Sequence, residues 1–287
     1  MEPSRRQLLA GAAASLSQQF SDAQQIPRLN GRVHHSVCKW CFGDVSIDEL
    51  CRVGRSYGLM SVELLGPADW PVVKKYGLRC AMASRPIAPG GMAGITRAFN
   101  RLEHHDQLEE IYTDYLQKAA AAGVENIICF SGNRDGLPDQ KGVENCAAGL
   151  KRLMSLCERL KVNLVMELLN SKVNHPDYQC DHTEWGVELC KRVGSERFKL
   201  LYDIYHMQIM EGDVIATIRR HHEYIAHYHT GGVPGRHEID DSQELFYPAV
   251  MKAIVETGYK GFVGQEFVPA RPDKLESLRK CVGICDV

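Results

Sequence analysis

Short apolar runs recur along the chain, and most are followed by a longer stretch in which apolar positions return every three or four residues. The short runs have the length and density of strands buried on both faces, and the long stretches have the period of an amphipathic helix. Strands are predicted over Val33–Trp40, Ser61–Leu65, Arg79–Ala83 and Asn126–Phe130, and four further runs end at Glu167, Asp203, His229 and Glu266. Between them Ser46 caps a helix carrying Ile47, Leu50, Cys51 and Val53, which Gly58 stops. Trp70–Tyr76 is a short helix, and Leu102–Ala122, stopped by Gly123, is a long one. Helices through Val143–Leu160, Thr183–Val193, Val214–His221 and Pro272–Cys285 follow. Arg85–Gly94, with two prolines and three glycines, is a loop placed over the strand ends as a lid.

Eight strands alternating with about eight helices make the α/β pattern of a single-domain (β/α)8 TIM barrel. A doubly wound sheet is the runner-up, but no G-x-G-x-x-G follows the first strand. The barrel is assigned residues 26–287, and residues 1–25 are set apart as an export leader or disordered tail. Arg5-Arg6, the weakly apolar Leu8–Ala14 and the small residues near Ser21-Asp22-Ala23 resemble a twin-arginine signal, which implies a periplasmic destination. A cytoplasmic location is the alternative. No run reaches the roughly 18 apolar residues of a membrane span.

The formal net charge of −2 and the absence of any basic run longer than Arg5-Arg6 or Arg219-Arg220 leave no footprint for nucleic acid. A small-molecule partner, a sugar or keto acid, is expected, and a homo-oligomer is allowed for. Several of the eleven cysteines lie inside apolar segments, where a thiol packs as a small hydrophobe, so most are read as reduced and buried. The single Cys38-x-x-Cys41 pair has no second pair at zinc spacing.

The chemistry lies at the strand ends. Glu167, Asp203, His229 and Glu266 each close an apolar run, and they are separated by 36, 26 and 37 residues, about one strand-plus-helix unit each time. Taken singly, each could form a salt bridge or cap the next helix. Four in phase converge on one mouth of a parallel barrel, where three carboxylates and an imidazole suit a hard or borderline divalent ion.

At Glu167-Leu-Leu-Asn170, Asp203-Ile-Tyr-His206-Met, His227-Tyr-His229-Thr-Gly, Pro234-Gly-Arg236-His-Glu238 and Gly264-Gln-Glu266-Phe the chain resembles the xylose-isomerase-like barrel superfamily, and its hydroxypyruvate isomerase branch in particular. The resemblance runs from about residue 33 to the end. It implies one divalent ion, Mg2+ or Mn2+, held by the residues matching Glu167, Asp203, His229 and Glu266, with the two glutamates as proton carriers. Ketose 3-epimerases of the superfamily place His at the position of His229, where the hydroxypyruvate isomerases tend to place Gln. The Pro-Gly-Arg-His-Glu run points back to the isomerases.

The expected reaction is therefore an aldose–ketose type isomerisation through an enediolate. One glutamate removes a carbon-bound proton, the other returns it to the adjacent carbon, and Lewis-acid help makes that proton removable. His206 is placed to donate to a substrate oxygen, Arg236 to take a carboxylate or hydroxyl pair with its planar fork, and Glu63 and Asn170 are counted with the substrate-binding residues. By strand alternation His227 is taken to point away from His229 and is left out of the site. Three rivals are kept: a ketose 3-epimerase, a phosphodiesterase of the apurinic endonuclease type, which the charge argues against, and a non-catalytic exported sugar-binding barrel.

Overall fold

The computed structural model of the protein describes residues 29–287, and the expected leader lies outside them. Seven parallel strands form one curled sheet: β1 (His34–Cys38), β2 (Ser61–Glu63), β3 (Asn126–Cys129), β4 (Asn163–Leu168), β5 (Phe198–Asp203), β6 (Ile225–Thr230) and β7 (Phe262–Gln265). Their spatial order is β2-β1-β7-β6-β5-β4-β3, so the two ends of the sheet are β2 and β3.

The segment predicted as a third strand, Arg79–Ala83, fills the gap between those ends through isolated bridges only, Ser61 with Arg79, Leu65 with Ala83 and Ala83 with Ile127. The expected eight strands are thus seven plus a bridging segment. The reason lies at Ala81, whose backbone groups bond to side chains instead of to a neighbouring strand: its N–H donates to Ser61 Oγ at 2.9 Å and its carbonyl accepts from Asn126 Nδ2 at 2.8 Å. The ring still closes, because Leu64 N–H reaches the Met82 carbonyl at 2.8 Å and Ile128 N–H the Ala83 carbonyl at 3.1 Å. The fold is an α/β barrel of the TIM type.

Helices surround the sheet, in chain order α1 (Ile47–Ser56), α2 (Trp70–Lys75), α3 (His105–Ala122), α4 (Asp139–Leu160), α5 (Thr183–Val193), α6 (Ile204–Met210), α7 (Val214–His221), α8 (Tyr247–Glu256) and α9 (Lys274–Cys285). Ser46 caps α1 as its sequence position predicts, its Oγ accepting from Glu49 N–H at 3.1 Å. Gly123 ends α3 in the left-handed conformation, φ 75°, which costs a residue without Cβ little. All eleven cysteines are free and buried, as their apolar settings implied. None of the helices among the described residues is long and apolar enough to cross a membrane.

Register decides which side chains reach the interior. Asp203 pairs with His229, His229 with Gly264, and Glu167 with Leu201, two residues before Asp203. Because strand side chains alternate, Glu167, Asp203, His229 and Glu266 all fall on the barrel's inner face at its C-terminal end.

Candidate active site

The four strand-end residues meet. One ligand atom from each of Glu167, Asp203, His229 and Glu266 lies within 4.8 Å of the other three, and all four side chains are buried. Asp203 divides its labour: Oδ1 caps α6 by accepting from Tyr205 N–H at 2.8 Å and His206 N–H at 3.3 Å, leaving Oδ2 to face the cluster. Capping and metal-site geometry thus coexist in one carboxylate. Glu266 accepts from Trp40 Nε1 at 2.8 Å through Oε1, while its Oε2 stands 2.7 Å from His229 Nδ1.

Arg236 is the guanidinium of the site. It donates to Asp203 Oδ2 at 2.9 Å and Glu266 Oε2 at 2.6 Å, and its plane stacks near both Trp40 and Tyr205, at 5.3 Å from each ring. The loop before it holds Arg236 at φ 59°, a left-handed conformation unusual for this residue type. His206 lies in the first turn of α6, and its Nδ1 accepts from the backbone N–H of Asn170 at 3.2 Å, with the Asn170 amide a further 2.6 Å contact. Nδ1 is therefore unprotonated and Nε2 carries the hydrogen. Burial, and then Arg236, lower His206 well below the usual imidazole range, so it is a neutral donor.

Charge is unevenly matched. Burial, and after it the opposing pull of Arg236 and repulsion from Glu266 and Glu167, leave the Asp203 carboxyl raised to about 8. Glu167 is raised too, by burial and then by Glu266. Burial opposes charge on Glu266, but Arg236 and then His229 hold it well below the carboxylate range. Burial also disfavours charge on His229, yet the Cys38 sulfur and Glu266 leave it raised well above the usual imidazole range. Such opposed shifts mark a buried acid cluster short of cations.

The residues fit a divalent ion. Glu167 Oε1 and His229 Nδ1 are buried without any hydrogen-bond partner, although His229 Nδ1 lies 3.7 Å from that oxygen and closer still to Glu266. Several lone pairs aimed at one point are costly unless a cation receives them. Three carboxylates and one nitrogen are a donor set that hard and borderline ions accept.

The pocket above the cluster has a volume of about 380 Å³; Glu167, Glu266 and Arg236 form its floor, with Trp40, Phe130 and Leu169 as apolar walls. Arg85, which opens the loop expected to cover the mouth, belongs to its wall, as do Ser84 before the loop and Ile95 after it. Asn170 does not line the pocket; it is fully buried behind His206 and orients that ring.

Two sequence-based placements are corrected. Glu63 does not face the mouth: it is fully buried below His229, with Oε1 2.8 Å from His229 Nε2. His227 does not point away, because residues two apart on a strand share a face, and it lies 2.7 Å from the same Glu63 oxygen. Trp40, Tyr205 and His175 were not singled out from the sequence. Trp40 had a legible signal, since it closes the first predicted strand as Glu167, Asp203, His229 and Glu266 close theirs.

Comparison with known proteins agrees with this fold. A family profile described as xylose isomerase-like TIM barrel matches residues 72–281. A human protein provisionally named hydroxypyruvate isomerase is 34% identical over 260 residues, covering 83% of this chain and 90% of the relative. A 2-oxo-tetronate isomerase of Pectobacterium atrosepticum is 25% identical over 243 residues, 79% of this chain and 88% of that one. Among solved structures, a Brucella melitensis protein titled AP endonuclease, family 2 superposes with a TM-score of 0.73 at 27% identity, over 86% of this chain and 97% of that chain. D-psicose 3-epimerase from Clostridium cellulolyticum shares the fold at a TM-score of 0.70 and 16% identity, over 88% of this chain and 98% of that chain. The chain belongs to the xylose isomerase-like TIM barrel family, and it is an isomerase of that family.

Proposed function

We propose that the protein is a divalent-metal-dependent aldose–ketose type isomerase that acts on a short 2-oxo acid of the hydroxypyruvate class. The observation that carries this reading is the convergence of Glu167, Asp203, His229 and Glu266 within 4.8 Å beneath a pocket floored by Glu167, Glu266 and Arg236. Mg2+ or Mn2+ suits the donor set, and when bound it would supply Lewis-acid stabilisation of negative charge developing on the substrate oxygens.

The chain's own residues account for the rest. Glu167 would hold the ion through one oxygen and keep the other for a carbon-bound proton, and its raised carboxyl makes it a better base than a solvated glutamate. Glu266, across the cluster and ionised at rest, takes up a solvent proton and returns it to the adjacent carbon, while Glu167 gives the proton it removed to solvent. His206 Nε2–H, buried and without a partner, donates to a substrate oxygen. Arg236, locked between Trp40 and Tyr205, holds the two carboxylates apart and presents its remaining edge to an anionic substrate. Trp40, Phe130 and Leu169 exclude water from the reacting carbon.

A ketose 3-epimerase is the second reading. It is favoured by the imidazole of His229 where hydroxypyruvate isomerases tend to place an amide. Protein supplied with Mn2+ in D2O, offered hydroxypyruvate or fructose and tagatose, separates the readings by NMR. Deuterium in the aldehyde isomer of hydroxypyruvate, lost with chelator, is the expected result. Exchange confined to C3 of the ketoses would make the protein an epimerase, and no exchange with any of them would leave a sugar-binding barrel. Export through Arg5-Arg6 to the periplasm belongs to the same proposal, supported by the leader's composition alone.

A further inference from the structure

Glu63 has no Lys or Arg partner among the described residues, yet it is fully buried at the end of β2. Its charge is met by two imidazoles on β6. His227 Nε2 lies 2.7 Å and His229 Nε2 2.8 Å from the same oxygen, Oε1, with Cys38 Sγ at 3.6 Å. A carboxylate only accepts, so each imidazole donates its Nε2 hydrogen. For His229 this makes Nδ1, which faces Glu167 and Glu266, the nitrogen that gives up its proton to an ion.

Space for this contact is provided by Gly264, which pairs with His229 across β6 and β7. A Cβ at that position would collide with Glu63 Oε1 and stand 2.9 Å from His229 Cδ2. Only glycine there lets the carboxylate and the imidazole meet.

We propose that Glu63 is a positioning residue for the metal centre: it holds His229 as the Nε2–H tautomer, so that Nδ1 is presented to the ion, and its negative charge makes that nitrogen the stronger donor. His227 anchors the Glu63 carboxylate from beneath. The proposal rests on the reading of Glu167, Asp203, His229 and Glu266 as a metal site. Carboxylates that orient a ligating histidine typically contribute 10- to 100-fold to metal affinity.

The test is a calorimetric titration of the full chain with Mn2+, comparing wild type, Glu63→Gln, His229→Gln and the double variant, all checked for a wild-type melting profile. Glu63→Gln is expected to weaken Mn2+ about 10- to 100-fold in the wild-type background. In the His229→Gln background it should change affinity less than about twofold, because the imidazole it acts through is gone. Equal weakening in both backgrounds, or none in either, overturns the proposal. Absence of Mn2+ binding by wild type itself would instead bring down the metal reading and the proposal with it, and that pattern cannot be mistaken for the others. The tautomer is read separately by 15N NMR of the imidazoles in the unaltered protein with Mg2+ bound, which decides even where Glu63→Gln does not fold. An Nε2–H signal for His229 is expected, and an Nδ1–H tautomer overturns the assignment.

Discussion

Glu167 and Glu266 differ from Asp203 and His229 in what their replacement removes. Glu167→Gln and Glu266→Gln each keep the shape and one coordinating oxygen but cannot accept a proton. Each is expected to retain less than about a tenth of wild-type turnover, a barrier increase of at least about 1.4 kcal/mol, with metal still bound. Turnover measured beside elemental analysis checks this, and activity above that level removes the base role from the variant concerned. Asp203→Ala and His229→Ala take away donors instead, so both should emerge with reduced metal content by native mass spectrometry. Full occupancy in both would dismiss the four-ligand centre. At this scale the sequence was legible where a polar residue ended an apolar run, as at Glu167 and Glu266. It was not legible at Glu63, which only the register shows beneath His229, whereas His227 was legible, since it lies two residues before His229 on one strand and so shares its face.

Among the elements, those with a one-sided apolar stripe were readable and those buried nearly all round were not. Helix α1 shows its cap at Ser46 and its buried residues Leu50, Cys51 and Gly54 on one side. Helix α6 buries Ile204, Tyr205, His206, Met207 and Met210, so its sequence reads as a continuation of β5. Helix α8, Tyr-Pro-Ala-Val-Met-Lys-Ala-Ile-Val-Glu, is apolar around most of its circumference and carries no stripe to detect. Strand β1 meets the C-terminal segment through His35, which is 1% exposed and 3.7 Å from Asp286. Burial lowers His35 from 6.5 to about 4, with Asp286 opposing and His34 adding slightly to the fall. The unfolded chain therefore binds a proton that the folded chain refuses. This stability is fully present above about pH 6.5 and is lost as pH falls toward 4, on the order of 3 kcal/mol in all. His35→Leu should flatten that part of the stability curve, as measured by urea unfolding at pH 7 and pH 4.5. An unchanged slope would show that His35 is charged in the fold.

For the molecule as a whole, the leader should be dispensable to the barrel. The four candidate ligands all lie among the described residues, so a chain starting at Pro27 is expected to melt and bind Mn2+ like the full chain. It keeps Asn30, whose backbone N–H reaches the Asp286 carboxylate at 2.8 Å and so ties the start of the described chain to its end. Replacing Arg5 and Arg6 by Lys should leave the protein in the cytoplasm with its leader attached, while wild type appears outside the inner membrane on fractionation. Equal cytoplasmic distribution of the two would make the arginine pair accidental and leave the metal chemistry untouched.

Sequence alone determined the barrel class and brought Glu167, Asp203, His229 and Glu266 forward as candidate ligands, because alternation of strand and helix and the repeated position of a polar residue at a strand's end are one-dimensional facts, while the two candidate proton carriers came from the family resemblance. Tertiary structure decided the rest. It replaced the third strand by bridges, because Ser61 and Asn126 side chains take the backbone groups of Ala81. It moved Asn170 behind His206 and Glu63 beneath His229, because which side chain lies over which is set by the stagger between strands far apart in the chain. It brought Arg236 onto Asp203 and Glu266 through a loop whose course no periodicity encodes. Local pattern specifies what each residue can do, and register and loop geometry specify what it meets.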